Sequence, residues 1–119
     1  MSVLMTIFAA LAALLHFYIF YMESFAWDKP ATRKVFGELS KEELEHTKFM
    51  AFNQGLYNMM LGVVTFVGLF TGSAALVAAG TGSMFFAALM LGLTSKAHRS
   101  AAVKQGFLPL LALIFLILA

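Results

Sequence analysis

The sequence predicts an all-α, polytopic membrane protein with four transmembrane helices in an antiparallel bundle, and three observations carry that prediction. Its 119 residues are 61% hydrophobic and 12% charged, with a mean hydropathy of +0.88, against an apolar share of roughly 45–50% in a soluble domain. The apolar residues gather into four stretches, each near the ~20 residues needed to cross a hydrocarbon core of ~30 Å. All eight Lys and Arg lie in two of the three connections between those stretches or at their edges, the asymmetry expected of a chain that crosses a bilayer repeatedly. The whole chain, 1–119, reads as one domain.

The first span covers about Val3 to Ala26. It resembles a signal peptide in position, but it has no basic segment before the apolar run and no small-residue cleavage site ahead of Glu23, so it is expected to be retained. Asp28-Lys29-Pro30 should end it, and the polar connection 28–48 follows. Ser40 with Glu43 three residues later forms a capping-box pattern that starts the second span, Lys41 to Phe70. Unbroken, that helix would measure about 45 Å at ~1.5 Å per residue, so its charged first turns must stand outside the hydrocarbon. Thr71-Gly72-Ser73 is too short to do anything but reverse the chain, which makes the second and third spans antiparallel neighbours. The third span, Ser73 to Thr94, carries Ala75, Ala79, Ser83 and Ala87 at four-residue spacing. Such a stripe lets backbones approach closely in lipid and predicts a central helix. The fourth, Ala101 to Ala119, is mostly Leu, Ile and Phe after Gly106, and its Pro109 removes one backbone hydrogen bond.

Lys29, Arg33, Lys34, Lys41 and Lys48 flank the first connection, and Lys96, Arg99 and Lys104 the third. The positive-inside rule then places both connections in the cytoplasm and both termini outside. The net charge of +2 comes from eight bases and six acids, too balanced to suggest a nucleic-acid partner. Zero cysteines exclude disulfides, thiolate chemistry and cysteine metal sites.

The chemistry-bearing residues sit toward the cytoplasmic end. Glu23 follows His16 by seven positions and Trp27 by eleven, so on a continuous helix at about 100° per residue all three share a face. Facing them, the second span carries Asn53, Gln54, Tyr57 and Asn58, spread over about 140° of the helical wheel, with Gly55 and Gly62 on the opposite side. Ionisable groups in hydrocarbon are expensive, roughly 2.5–3.5 kcal/mol on insertion scales, and should turn inward toward polar partners. The prediction is therefore a polar pocket made by His16, Glu23, Asn53, Gln54, Tyr57 and Asn58, with Trp27 at its mouth. His16 and Glu23 are the candidate catalytic pair, and the other five the candidate ligand contacts. Lys96, His98 and Arg99 end the third span on the same side and are placed to add positive charge. No metal set is expected, since His16, His46 and His98 lie on three separate elements.

The run His16-Phe-Tyr-Ile-Phe-Tyr-Met-Glu-Ser-Phe-Ala-Trp27, the linker containing Phe36, and Phe52-Asn-Gln-Gly-Leu-Tyr-Asn58 resemble a family of small bacterial integral membrane proteins of unknown function, related to the DoxX-like four-helix proteins. The resemblance runs over essentially the whole chain and implies four spans and the plasma membrane. Some members carry an "epimerase" label; this sequence has no nucleotide-binding fingerprint and no soluble domain to support it.

Three function classes are compatible with these residues. The first is a pocket that binds, or acts on, a small amphiphilic or lipid-like molecule, with membrane lipid as the surrounding partner and no cofactor. The second is a small transporter or proton-coupled carrier of fixed orientation, the charge bias of eight against none excluding a dual-topology exporter. The third is a structural or accessory subunit, alone or in an oligomer, whose polar residues only join helices.

Overall fold

The computed structural model describes residues 1–118; Ala119, the last residue expected in the fourth span, lies outside the described residues. Among the described residues the regular structure is helical throughout. Helix α1 (Val3–Ser24) starts where the Ser2 side chain accepts the Met5 amide. It stops two residues short of the expected Ala26, because the amides of Phe25 and Ala26 both turn back to the Tyr21 carbonyl. Pro30 then occupies the first position of the next helix and holds Lys29 in extended backbone, so α1 does not run on through it. Trp27 therefore lies in a turn, beyond the helical face on which the wheel places it.

A short helix, α2 (Pro30–Phe36), occupies the connection and ends at Gly37, whose φ of 103° needs a residue without Cβ. Helix α3 (Lys41–Thr71) opens with the capping box, Ser40 Oγ accepting the Glu43 amide and Glu43 accepting the Ser40 amide. Its 31 residues make it about 46 Å long at ~1.5 Å per residue, close to the 48 Å longest dimension of the protein. It closes on Gly72 in the left-handed conformation. Helix α4 (Ala74–Thr94) is capped by Ser73, a 3₁₀ turn follows at Lys96–His98, and α5 (Arg99–Leu118) completes the chain with Pro109 in its interior. Four of these helices are long and apolar enough to cross a membrane, and the protein is a multi-pass membrane protein.

The four long helices form a ring in the order α1, α3, α4, α5, and α1 and α4 are diagonal. Each adjacent pair is antiparallel: Glu23 meets Asn58, Gly68 faces Val77, Gly106 faces Ala88, and Phe8 stacks on Phe115. The interior is layered. Met5, Ala9, Val77 and Ala112 pack at the end carrying the termini, Ala12, Ala13 and Met84 pack at mid-depth, and the buried charged groups lie at the opposite end.

This ring corrects two expectations about the third span. Helix α4 is not central, and Ala75, Ala79, Ser83 and Ala87 all face outward. Its buried stripe is Val77, Gly80, Thr81, Met84 and Ala88. The neighbours decide the rotation, since the Thr65 side chain of α3 fills the space over Gly80 and Ala88 lies against Gly106 of α5. A stripe with no matching relief opposite it gains nothing from close approach, however regular its spacing.

Candidate functional site

The site grows out of the seam between α1 and α3. A side chain at Gly55 would collide with Ser24 Oγ and approach the Phe20 carbonyl to 3.1 Å, and one at Gly62 would come within 3.0 Å of the Phe17 ring. The bare glycines let the two backbones touch, the packing that holds helices together where lipid is as apolar as the side chains. Ser24 Oγ then donates to the Phe52 carbonyl at 2.9 Å, tying the end of α1 to α3.

Asn58 lies three residues after Gly55 and four before Gly62, so it is carried into the same seam. Its Nδ2 donates to Glu23 Oε1 at 2.5 Å, and the Glu23 side chain is buried, 8% exposed. The carboxyl is thus held by a neutral amide from the neighbouring helix. Two turns deeper, His16 is 2% exposed, and its Nδ1 lies 2.8 Å from the Ala12 carbonyl. A carbonyl only accepts, so Nδ1 carries the hydrogen, and in the neutral ring Nε2 is left as an acceptor. The structure brings Glu23 and Asn58 into contact and sets His16 on the same buried side of α1.

The other predicted contacts do not join them. Gln54 is exposed, Tyr57 is 70% exposed, and Asn53 spends its amide on the Phe49 carbonyl of its own helix at 3.2 Å. The broad polar face of α3 was expected to meet α1, with the glycines turned away; the rotation found is the reverse. The physical reason is the one that orders the seam: close backbone contact at Gly55 and Gly62 turns the glycine face toward α1 and swings Asn53, Gln54 and Tyr57 outward. Asn58 and Thr65 stay inside because they lie on the edge of the polar face nearest the glycines. A pocket enclosed by all six residues is therefore not formed.

Trp27 belongs to a second cluster, which ties the turn after α1 and the short helix α2 to α3. Its Nε1 donates to Thr47 Oγ1 of α3 at 2.9 Å, and Phe36 packs on it with 5.7 Å between ring centroids. The Arg33 guanidinium lies 4.1 Å from the indole centroid, a cation–π arrangement. Trp27 also borders a surface cleft of about 240 Å³ with Asp28, Lys41, Leu44, Glu45 and Lys48, and none of Asn53, Gln54, Tyr57 and Asn58 lines it.

By sequence Arg33 is one of the basic residues that set topology, yet it is 5% exposed. Its Nη1 donates to the Gly37 carbonyl at 3.0 Å, while Nε and Nη2 are buried with no partner among the described residues. Burial draws this guanidinium below its ordinary value, and the nearby Glu38 charge acts against that; an arginine stays protonated throughout. No sequence signal pairs Arg33 with Trp27, because a turn and the start of a new helix separate them. At the α4–α5 corner, Arg99 Nε donates to the Gly92 carbonyl at 3.0 Å and His98 bonds Ser95 at 2.7 Å, so these groups are engaged locally.

The sequence matches the family described as "Protein of unknown function (DUF1304)" over residues 10–117. It is also similar to the "Uncharacterized protein YpaA" of Lactococcus lactis subsp. lactis (strain IL1403), with 34% identity over 116 residues, 96% of this chain and 97% of that protein. No solved structure matches the chain.

Proposed function

The chain belongs to the DUF1304 family of proteins of unknown function, and on that footing we propose that it is a membrane-embedded receptor for a small amphiphile whose polar head is read on the α1–α3 seam. The observation that carries this reading is Glu23, a carboxyl buried at the end of a spanning helix and held by the Asn58 amide instead of by a cation. A carboxyl in that position is costly, and its second oxygen, with His16 Nε2, offers acceptors to a hydroxyl- or amine-bearing head group. Glu23 and His16 are the binding pair in this reading, Asn58 positions Glu23, and Trp27 with Arg33 ties α2 to α3. The basic connections support a cytoplasmic location for this end in the plasma membrane.

The test is native mass spectrometry of the full chain purified in detergent, together with melting points across a panel of lipids. A small bound species is expected in the natural protein and lost in His16→Ala and Glu23→Gln. Absence of any bound species that His16→Ala or Glu23→Gln removes, with variant melting points unchanged across the panel, would remove the proposal.

One further reading is favoured by a specific observation. The same seam carries the Ser24 to Phe52 hydrogen bond and the glycine contacts, so the Glu23–Asn58 bond also serves as a clasp between helices. A double-mutant cycle on Glu23 and Asn58 separates the two. Coupling near the membrane average of ~0.6 kcal/mol without any ligand effect fits the clasp alone.

A further inference from the structure

A second site lies on the other side of the bundle and is independent of the seam. Between the second halves of α4 and the first half of α5 a groove of about 390 Å³ opens sideways, away from α1 and α3. Its floor is made of residues without bulk: a Cβ at Gly92 would meet Ala102 at 3.3 Å and one at Gly106 would meet Ala88 at 3.0 Å. Its walls include the exposed Leu93, Val103 and Phe107. From Arg99 to Leu110 it runs about 16 Å along α5 at ~1.5 Å per residue, against about 15 Å for one leaflet of a ~30 Å hydrocarbon core. At its head stands Arg99, the one charged residue in the lining. Its Nε donates to the carbonyl of Gly92, which also lines the groove, and the residue is exposed, so its Nη donors have no partner among the described residues and are left for a ligand.

The charge of this half of the chain is one-sided. From Thr71 to Ala119 the sequence holds Lys96, Arg99 and Lys104 and no acidic residue, while all six acids lie between Glu23 and Glu45. A groove that is apolar along its length and cationic at its mouth, cut into two membrane-spanning helices, complements an anionic phospholipid in shape and in charge. We infer that one acyl chain of such a lipid lies between α4 and α5, with its phosphate on the Arg99 guanidinium, whose fork matches phosphate oxygens.

The full chain, delipidated in detergent, is titrated with phosphatidylglycerol and with phosphatidylcholine of the same acyl chains, and bound lipid is counted by native mass spectrometry. Phosphatidylglycerol is expected to bind about fivefold more tightly, the preference that one interfacial cation supplies. Arg99→Gln should bring the two lipids to parity, Lys34→Gln should leave the preference unchanged, and inorganic phosphate should fail to compete. Val103→Phe, which fills the groove from its exposed wall without touching the floor, should weaken both lipids and serves equally if Arg99→Gln does not fold. Equal binding of the two lipids by the natural protein, an intact preference in Arg99→Gln, undiminished binding in Val103→Phe, displacement by inorganic phosphate, or a lipid-free dimer broken by Val103→Phe overturns the inference. Because His16→Ala and Glu23→Gln leave this groove untouched, its failure and that of the α1–α3 receptor are read separately.

Discussion

Gly55 decides more about this protein than any polar residue, because it sets which face of α3 meets α1. In Gly55→Ala the new methyl would sit 3.1 Å from the Phe20 carbonyl oxygen and the Ser24 nitrogen. A serine side chain can rotate away and a backbone cannot, so the helices must part. A loss of about 1–3 kcal/mol is expected, read as a lower melting midpoint in detergent. Gly82→Ala, where nothing lies within 4 Å of the added carbon, should be neutral or gain up to about 1 kcal/mol from helix propensity. Equal losses at both positions would contradict the close-contact argument. The residue scale also shows where one dimension suffices. Glu23 and His16 are conspicuous in the sequence because an ionisable group in an apolar run is visible without knowing its neighbours. Gln54 and Tyr57 are not readable in that way: whether they face a helix or lipid depends on the rotation of α3, which the glycines settle through contacts with another helix.

Among the elements, α2 is the one the sequence hid. Seven residues are too few to establish a helical period, and Pro30 reads equally as a stop for the helix before it and a first position for the helix after it. It docks through a layered contact, Phe36 and Arg33 on Trp27 and Trp27 on Thr47. Trp27→Phe keeps an aromatic ring under Arg33 and removes the donor to Thr47, so the dock should weaken by about 0.5–1.5 kcal/mol. Hydrogen exchange of residues 26–37 should then accelerate by roughly three- to tenfold while α4 is unaffected. Unchanged exchange in that segment would show that the indole hydrogen bond does not hold α2. The capping box of α3, by contrast, was legible because Ser40 and Glu43 interact within one turn.

On the scale of the whole molecule, the ring of four antiparallel helices has an apolar end, where both Met5 and Ala112 are buried, and a polar end with Glu23, Arg33 and Trp27. Both long connections lie at the polar end, as the antiparallel order requires. The chain has no cysteine, so single cysteines report cleanly on sidedness. In spheroplasts, Glu38→Cys and Ala97→Cys should react with a membrane-impermeant maleimide only after lysis, and Ser73→Cys before it. Labelling of Glu38→Cys and Ala97→Cys from opposite sides would break the topology on which the proposed cytoplasmic placement of both sites depends.

Legible along the chain alone are its helical character, its four spans long and apolar enough to cross a membrane, the starts of three of its four long helices to within a residue or so, and the ionisable residues buried in the first of them. Those properties follow from composition, length and local capping, which act within one segment. Packing between helices sets the rest: which face of each helix is inside, that Asn58 and not Tyr57 meets Glu23, that Arg33 is buried on Trp27, and that α4 and α5 leave a groove headed by Arg99. In lipid the outward and inward faces of a helix are equally apolar, so hydropathy does not orient them; the fit of small residues against a neighbouring backbone does, and that fit exists only once two helices are side by side.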